Sequence, residues 1–180
     1  MKGQTVRIAI KWGVLLALAI ILWTLGVHLL GFYTDRIQYA ALVDQVVLVL
    51  PLAILTLALL EERRRRGGTI PVGPGVLLGT AVAAVSAPFT IGALWYYHHH
   101  INPEWVSYLT TYEGQKLATE GASLDQVAAR ITQLQLGATD RNQVVGGLVG
   151  TLLMGLVLAL VITLVLWTID RPRRGVSSAA

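Results

Sequence analysis

Four long apolar runs, separated by short polar stretches and one long one, organise this chain. Trp12 to Phe32 (WGVLLALAIILWTLGVHLLGF) carries no Asp, Glu, Lys or Arg. It is long enough for the roughly 20 helical residues that cross a hydrocarbon core. Residues 38–60 form a second span, with Asp44 near one end and Pro51 in the middle. Proline removes one backbone donor and crowds the carbonyl four residues back, so a kink is expected there. Residues 76–97 form the third span, with Pro88 inside and Trp95, Tyr96 and Tyr97 closing it. Such rings favour a membrane–water boundary. Residues 144–169 form the fourth and carry no charge. The pattern predicts an all-α membrane protein with four transmembrane helices, as one integral membrane domain over residues 1–180.

Residues 98–143 are the one sizeable piece between spans, and they too read as helical. Asn102 followed by Pro103 predicts a helix start, with Asn as N-cap. Trp105, Leu109 and Tyr112 then share a helical face. Gly121 breaks that run. Ser123 and Gln126 have capping-box spacing, and Leu124, Val127, Ile131 and Leu134 continue at helical intervals to Gly137. A pair of short amphipathic helices is expected, either lying on the bilayer surface or standing as a hairpin free of lipid.

Composition agrees with this pattern. Hydrophobic residues make up 54% of the chain and charged residues 13%, against about 25% charged in ordinary soluble domains. Mean hydropathy is +0.63. There is no cysteine, which excludes disulfides, thiolate metal sites and cysteine nucleophiles.

The net charge of +4 adds an orientation. Lys2, Arg7 and Lys11 precede the first span; Arg63, Arg64, Arg65 and Arg66 follow the second; Arg171, Arg173 and Arg174 follow the fourth. In a four-span chain these fall on one side, and only Arg36, Lys116, Arg130 and Arg141 on the other. Positive flanks stay in the cytoplasm, so both termini are expected there and the helix pair is expected to be extracytoplasmic. The basic start could also head a signal peptide. The apolar run is too long for one, and no A-x-A-like site follows it, so an uncleaved first span is expected. Nucleic acid is not an expected partner, because the cations flank apolar spans and no nucleic-acid-binding fold is recognisable.

Small residues recur every four positions in two spans: Gly75, Gly79, Ala83 and Ala87 in the third, and Gly147, Thr151, Gly155, Ala159 and Thr163 in the fourth. Such stripes let helix backbones approach closely. They fit packing of span three on span four within one chain, or a seam between copies in a homo-oligomer.

Candidate chemistry is sparse. His98, His99 and His100 are consecutive, so on a helix their side chains diverge by about 100° each. In an extended segment His98 and His100 would share a face, with His28 and Asp44 on the same side of the membrane. These four are the candidates for a metal or proton site. The other reading is a polar collar where span three leaves the lipid, since no spacing matches a zinc motif. His28 and Asp44 are expected to face the bundle rather than lipid, either paired with each other or with Asp44 at the interface. Arg63 to Arg66 read as a topology determinant touching anionic lipid, or as a contact for a partner or nucleotide. No phosphate-cradling glycine loop, nucleophile elbow or HExxH occurs, so no catalytic residue or cofactor is called for.

A basic start, the "RRRRGGTI" turn into a glycine-rich third span, the aromatic exit to "INPEW", a polar helical loop and a basic end resemble the bacterial four-span family known as domain of unknown function 4199. The resemblance runs from about Val6 to Arg174, with Gly67–Gly68 and Asn102–Pro103 as its markers. It implies a four-helix protein of the inner membrane and supplies no catalytic residue. The sequence therefore points to a non-enzymatic accessory or scaffolding component, alone as a homo-oligomer or within a larger membrane complex. A small oligomeric transporter or channel, or a lipid-modifying enzyme, remain open.

Overall fold

The computed structural model describes Gly3–Val176, with side chains as far as Asp170. Lys2 and the side chains of Arg171, Arg173 and Arg174 therefore lie outside the described residues. The described chain is helical and contains no strand. Helix α1 covers Gly3–Leu29, and a 3₁₀ turn at Ile37–Tyr39 leads into α2, Ala40–Val46. Then come α3, Val49–Arg65, and α4, Val72–Tyr96, which runs into a π-helical turn at Tyr97–Ile101. The short α5, Trp105–Thr119, and α6, Leu124–Gly137, precede the long α7, Asp140–Val176. Four segments are long and apolar enough to cross a membrane: Gly3–Leu29, Ile37–Arg65, Val72–Ile101 and Asp140–Asp170.

The second span is not one kinked helix, as expected from Pro51, but two helices interrupted at Val47 and Leu48. Pro51 sits in the first turn of α3, where its missing N–H is an orphan anyway, and its ring crowds the carbonyl of Val47. The break thus falls one turn before the proline. Pro88, in contrast, lies inside an unbroken α4.

Gly67 and Gly68 close α3. Both have positive φ, at 84° and 98°. The Gly68 N–H donates to the Arg63 carbonyl at 2.9 Å and the Gly67 N–H to that of Arg64 at 3.1 Å. This pair of bonds satisfies carbonyls that a helix end leaves open, and the left-handed position suits a residue without a Cβ. The same closure ends α1 at Gly31 and α5 at Gly121.

The chain divides into two compact units. The first gathers α1 through Ala19, Leu48–Phe89, and α7 from Val149 onward. Its core is small and tightly packed: Leu55, Ala58, Leu59, Leu78, Val82, Ala87 and Ala159 are fully buried. A Cβ added at Gly75 would fall 2.5 Å from Thr163, and one added at Gly79 or Gly155 would overlap Ala159 or Ala83. Helices α4 and α7 therefore meet at backbone distance, through the two small-residue stripes. On α7, Val149, Leu153, Val157, Val161, Val165 and Ile169 recur every four residues and are all exposed. An apolar face this long is what lipid covers.

The second unit gathers Ile20–Val47 and Thr90–Leu148. It contains the short helix pair. Helix α6 opens on the expected capping box, with Ser123 Oγ accepting from the Gln126 N–H and Gln126 Oε1 from the Ser123 N–H. It packs on α5 at Gly114, near Val127 and Ile131. Asn102 is not the cap of α5. That helix starts at Trp105, after a turn at Pro103 and Glu104, and its N-cap is Glu104. Asn102 instead ends the π turn, and its side chain is buried in the polar network described next.

Candidate functional site

Two polar constructions stand out, one in each unit. The first is a network around a cavity of about 200 Å³ in the second unit. The π turn sets its geometry. Asn102 N–H bonds the Tyr97 carbonyl at 2.8 Å, an i to i+5 closure that re-aims the side chains after the regular α4. Asn102 Nδ2 donates to the Tyr97 hydroxyl at 3.2 Å and to the Tyr33 carbonyl at 3.4 Å. The Tyr97 hydroxyl is also hydrogen-bonded to His28 Nδ1 at 2.9 Å. Tyr97 and Asn102 are both buried, so each bond satisfies a group that would otherwise be costly.

Tyr33 closes the other side. Its hydroxyl donates to Asp44 Oδ1 at 2.7 Å. Burial pushes the Tyr33 phenol above its ordinary value, and the bond to the Asp44 carboxylate adds to the shift. His98 stacks on Trp105, with ring centroids 4.4 Å apart, and its Nδ1 lies 2.7 Å from Gln143 Oε1. Gln143 Nε2 is already donating to the Ala138 carbonyl, so Gln143 Oε1 is the acceptor and His98 Nδ1 the donor.

The three consecutive histidines part company. His99 stacks on Trp95 and bonds its carbonyl at 2.8 Å, with Nε2 3.3 Å from Asp140. His100 leans on Tyr96 at 4.7 Å. Of the four candidates for a metal or proton site, Asp44 and His98 line the same cavity, while His28 and His100 do not. His28 and Asp44 are not paired with each other: Tyr97 holds one and Tyr33 the other. Among the described residues no group of three or more His, Asp or Glu is arranged to hold a metal ion.

The second construction is a charged clamp in the first unit. Glu62 is fully buried at the end of α3. Its carboxylate accepts from Thr5 Oγ1 of α1 at 3.2 Å, from Arg65 at 2.6 and 2.7 Å, and from Arg66 at 2.6 Å. Arg65 also reaches Gln4 and Thr5. Beside it, Arg63 grips the buried Asp170 of α7 through Nε and Nη2. Lys11 and Trp12 Nε1 both donate to Glu61, at 2.6 and 2.8 Å. The start of α1, the end of α3 and the Asp170 turn of α7 therefore meet. Of the four arginines, Arg63, Arg65 and Arg66 are ion-paired within the chain, Arg65 and Arg66 from exposed positions, and Arg64 is exposed with no ion pair among the described residues.

The model of the family described as protein of unknown function (DUF4199) matches residues 11–167. The chain belongs to this family. No curated protein and no solved structure matches it.

The DUF4199 match spans the whole cavity lining, whereas Thr5 and Asp170 of the clamp lie beyond its ends. Sequence reading passed over Glu62, although Arg65 and Arg66 stand three and four residues after it, the spacing of ion pairs on a helix. Asp170 carried no comparable signal, because its partner is 107 residues away. Tyr33 and the buried role of Asn102 were equally hidden. A Cβ added at Gly147 would stand 3.4 Å from Ile91, and Thr151 is half-buried on α7.

Proposed function

We propose that this DUF4199 protein is a non-enzymatic component of the bacterial inner membrane, an accessory or scaffolding subunit with both termini cytoplasmic. The observation that carries this reading is the use made of buried charge. Glu62 and Asp170, both fully buried, are spent on tying α1, α3 and α7 together. Buried ion pairs contribute little net stability and are best attested as devices that fix one arrangement. A fixed bundle with a helical hairpin is suited to holding a partner in place.

Native mass spectrometry of the protein, gently extracted from its own membrane, tests this. A stoichiometric partner protein is the expected result. Substrate-dependent flux by the purified protein alone in proteoliposomes would instead establish a small oligomeric transporter. The break at Val47–Leu48 and the cavity at Asp44 favour that second reading.

The orientation has its own test, helped by the lack of native cysteine. A single cysteine placed between Ser107 and Gln135 should react with an impermeant thiol reagent added outside cells, and one beside Arg64 should not. The reverse pattern would invert the topology.

A further inference from the structure

We infer that the cavity of the second unit is a binding site for an organic ammonium group. Its walls are aromatic: Tyr33, Tyr97 and Trp105 all line it, with Leu94 and Leu109 between them. Asp44 is the one carboxylate in that lining, and no lysine or arginine lines it. Asp44 Oδ1 is held by the Tyr33 hydroxyl, and Oδ2 has no donor among the described residues. The lining therefore combines one carboxylate with three aromatic side chains, of which Trp105 also stacks on His98.

This chemistry selects the class of ligand. A hard divalent cation takes about six oxygen ligands, which one carboxylate among rings does not supply. Zinc takes three or four protein ligands, and no such group exists among the described residues. An organic ammonium ion is attracted to aromatic faces and needs a single counter-charge. At about 200 Å³ the cavity is below the range of drug-sized pockets and suits a headgroup. A second hollow of about 250 Å³ shares Thr24, Leu94 and Tyr97 with it and, apart from Thr90 and Tyr96, is otherwise lined by apolar residues such as Ile20, Ile21 and Leu25. An ammonium group carried on a lipid could lay its chain there; a free amine would leave that hollow unused.

The test uses the full chain in non-ionic detergent. Saturation-transfer NMR compares choline with 3,3-dimethylbutanol, which has the same shape without the charge. Choline should receive saturation and the neutral isostere much less. Asp44→Asn keeps an acceptor for Tyr33 and lies at an exposed position, so folding should persist while choline affinity falls about tenfold, the equivalent of about 1.4 kcal/mol. Trp105→Leu should weaken choline similarly, and Trp105→Phe less. In parallel, native mass spectrometry compares retention of phosphatidylethanolamine and phosphatidylglycerol. Selective retention of the ethanolamine lipid, lost in Asp44→Asn, names a lipid headgroup as the source; choline binding without lipid selectivity names a free amine. Equal response to both isosteres, choline binding indifferent to Asp44→Asn, or no binding by either route overturns the assignment.

Discussion

Gly155→Leu is expected to destabilise the chain as a monomer, not merely to separate copies of it. At Gly155 the backbones of α7 and α4 stand so close that even a methyl group would overlap Ala83, with the Gly79 carbonyl 3.9 Å away. Neither neighbour is the flexible end of a long side chain, so relief requires the helices to part. Overpacking commonly costs about 1–3 kcal/mol, and this position belongs at or above the upper end because backbone must move. Lipid offers no hydrophobic penalty for parting the helices, so the close approach itself carries much of the association. Gly150→Leu is the matched control on the same helix. No atom lies within 4 Å of its would-be Cβ, and the change should stay within about 0.5 kcal/mol. Unfolding of detergent-solubilised monomer, followed by tryptophan fluorescence, measures both. A Gly155→Leu monomer as stable as the parent, with only an oligomer lost, would make the stripe a seam between chains.

That stripe was legible in the sequence because periodicity is a local property. So were the four spans, the two short helices, the Ser123 capping box and the break at Gly121: each rests on residues within one turn or one run of the chain. What escaped depends on distant pairs. Asn102 before Pro103 has the local grammar of a helix start, yet burial beside Tyr97 and Tyr33 recruits its side chain for tertiary bonds and moves the start of α5 to Trp105. The histidine triplet illustrates the same limit. Its residues could be weighed on a helix or an extended segment, but their destinations on Gln143, Asp140 and Tyr96 follow from how a π turn aims them. Four like charges in a row read as a topology determinant touching anionic lipid, and Arg64, Arg65 and Arg66 do stand at exposed positions. Only the folded chain shows that Thr5 and Asp170 arrive to bury the run's acidic partner and to claim its first member.

Glu62→Gln should expose that difference directly, since Glu61 beside it makes the comparison. Both substitutions remove one negative charge and keep the side-chain shape. Glu61 pairs with Lys11 at a site where the two side chains are 37% and 52% exposed, and such pairs are worth about 0–1 kcal/mol. Glu62 is fully buried and accepts from Thr5, Arg65 and Arg66 together. A glutamine there turns one acceptor into a donor facing guanidinium N–H groups, and it leaves two adjacent arginines without their shared counter-charge. Removing one partner from a buried pair costs about 3–5 kcal/mol; the part-exposed arginines can recover some hydration, which places the expected loss nearer about 3. Adding Arg65→Gln and Arg66→Gln to Glu62→Gln should restore part of the stability, because the uncompensated charges then leave with the carboxylate. The same unfolding assay reads all four proteins. Equal losses for Glu61→Gln and Glu62→Gln, or no recovery in the triple variant, would mean that the clamp is a surface feature and that the bundle is held by the α4–α7 contact alone.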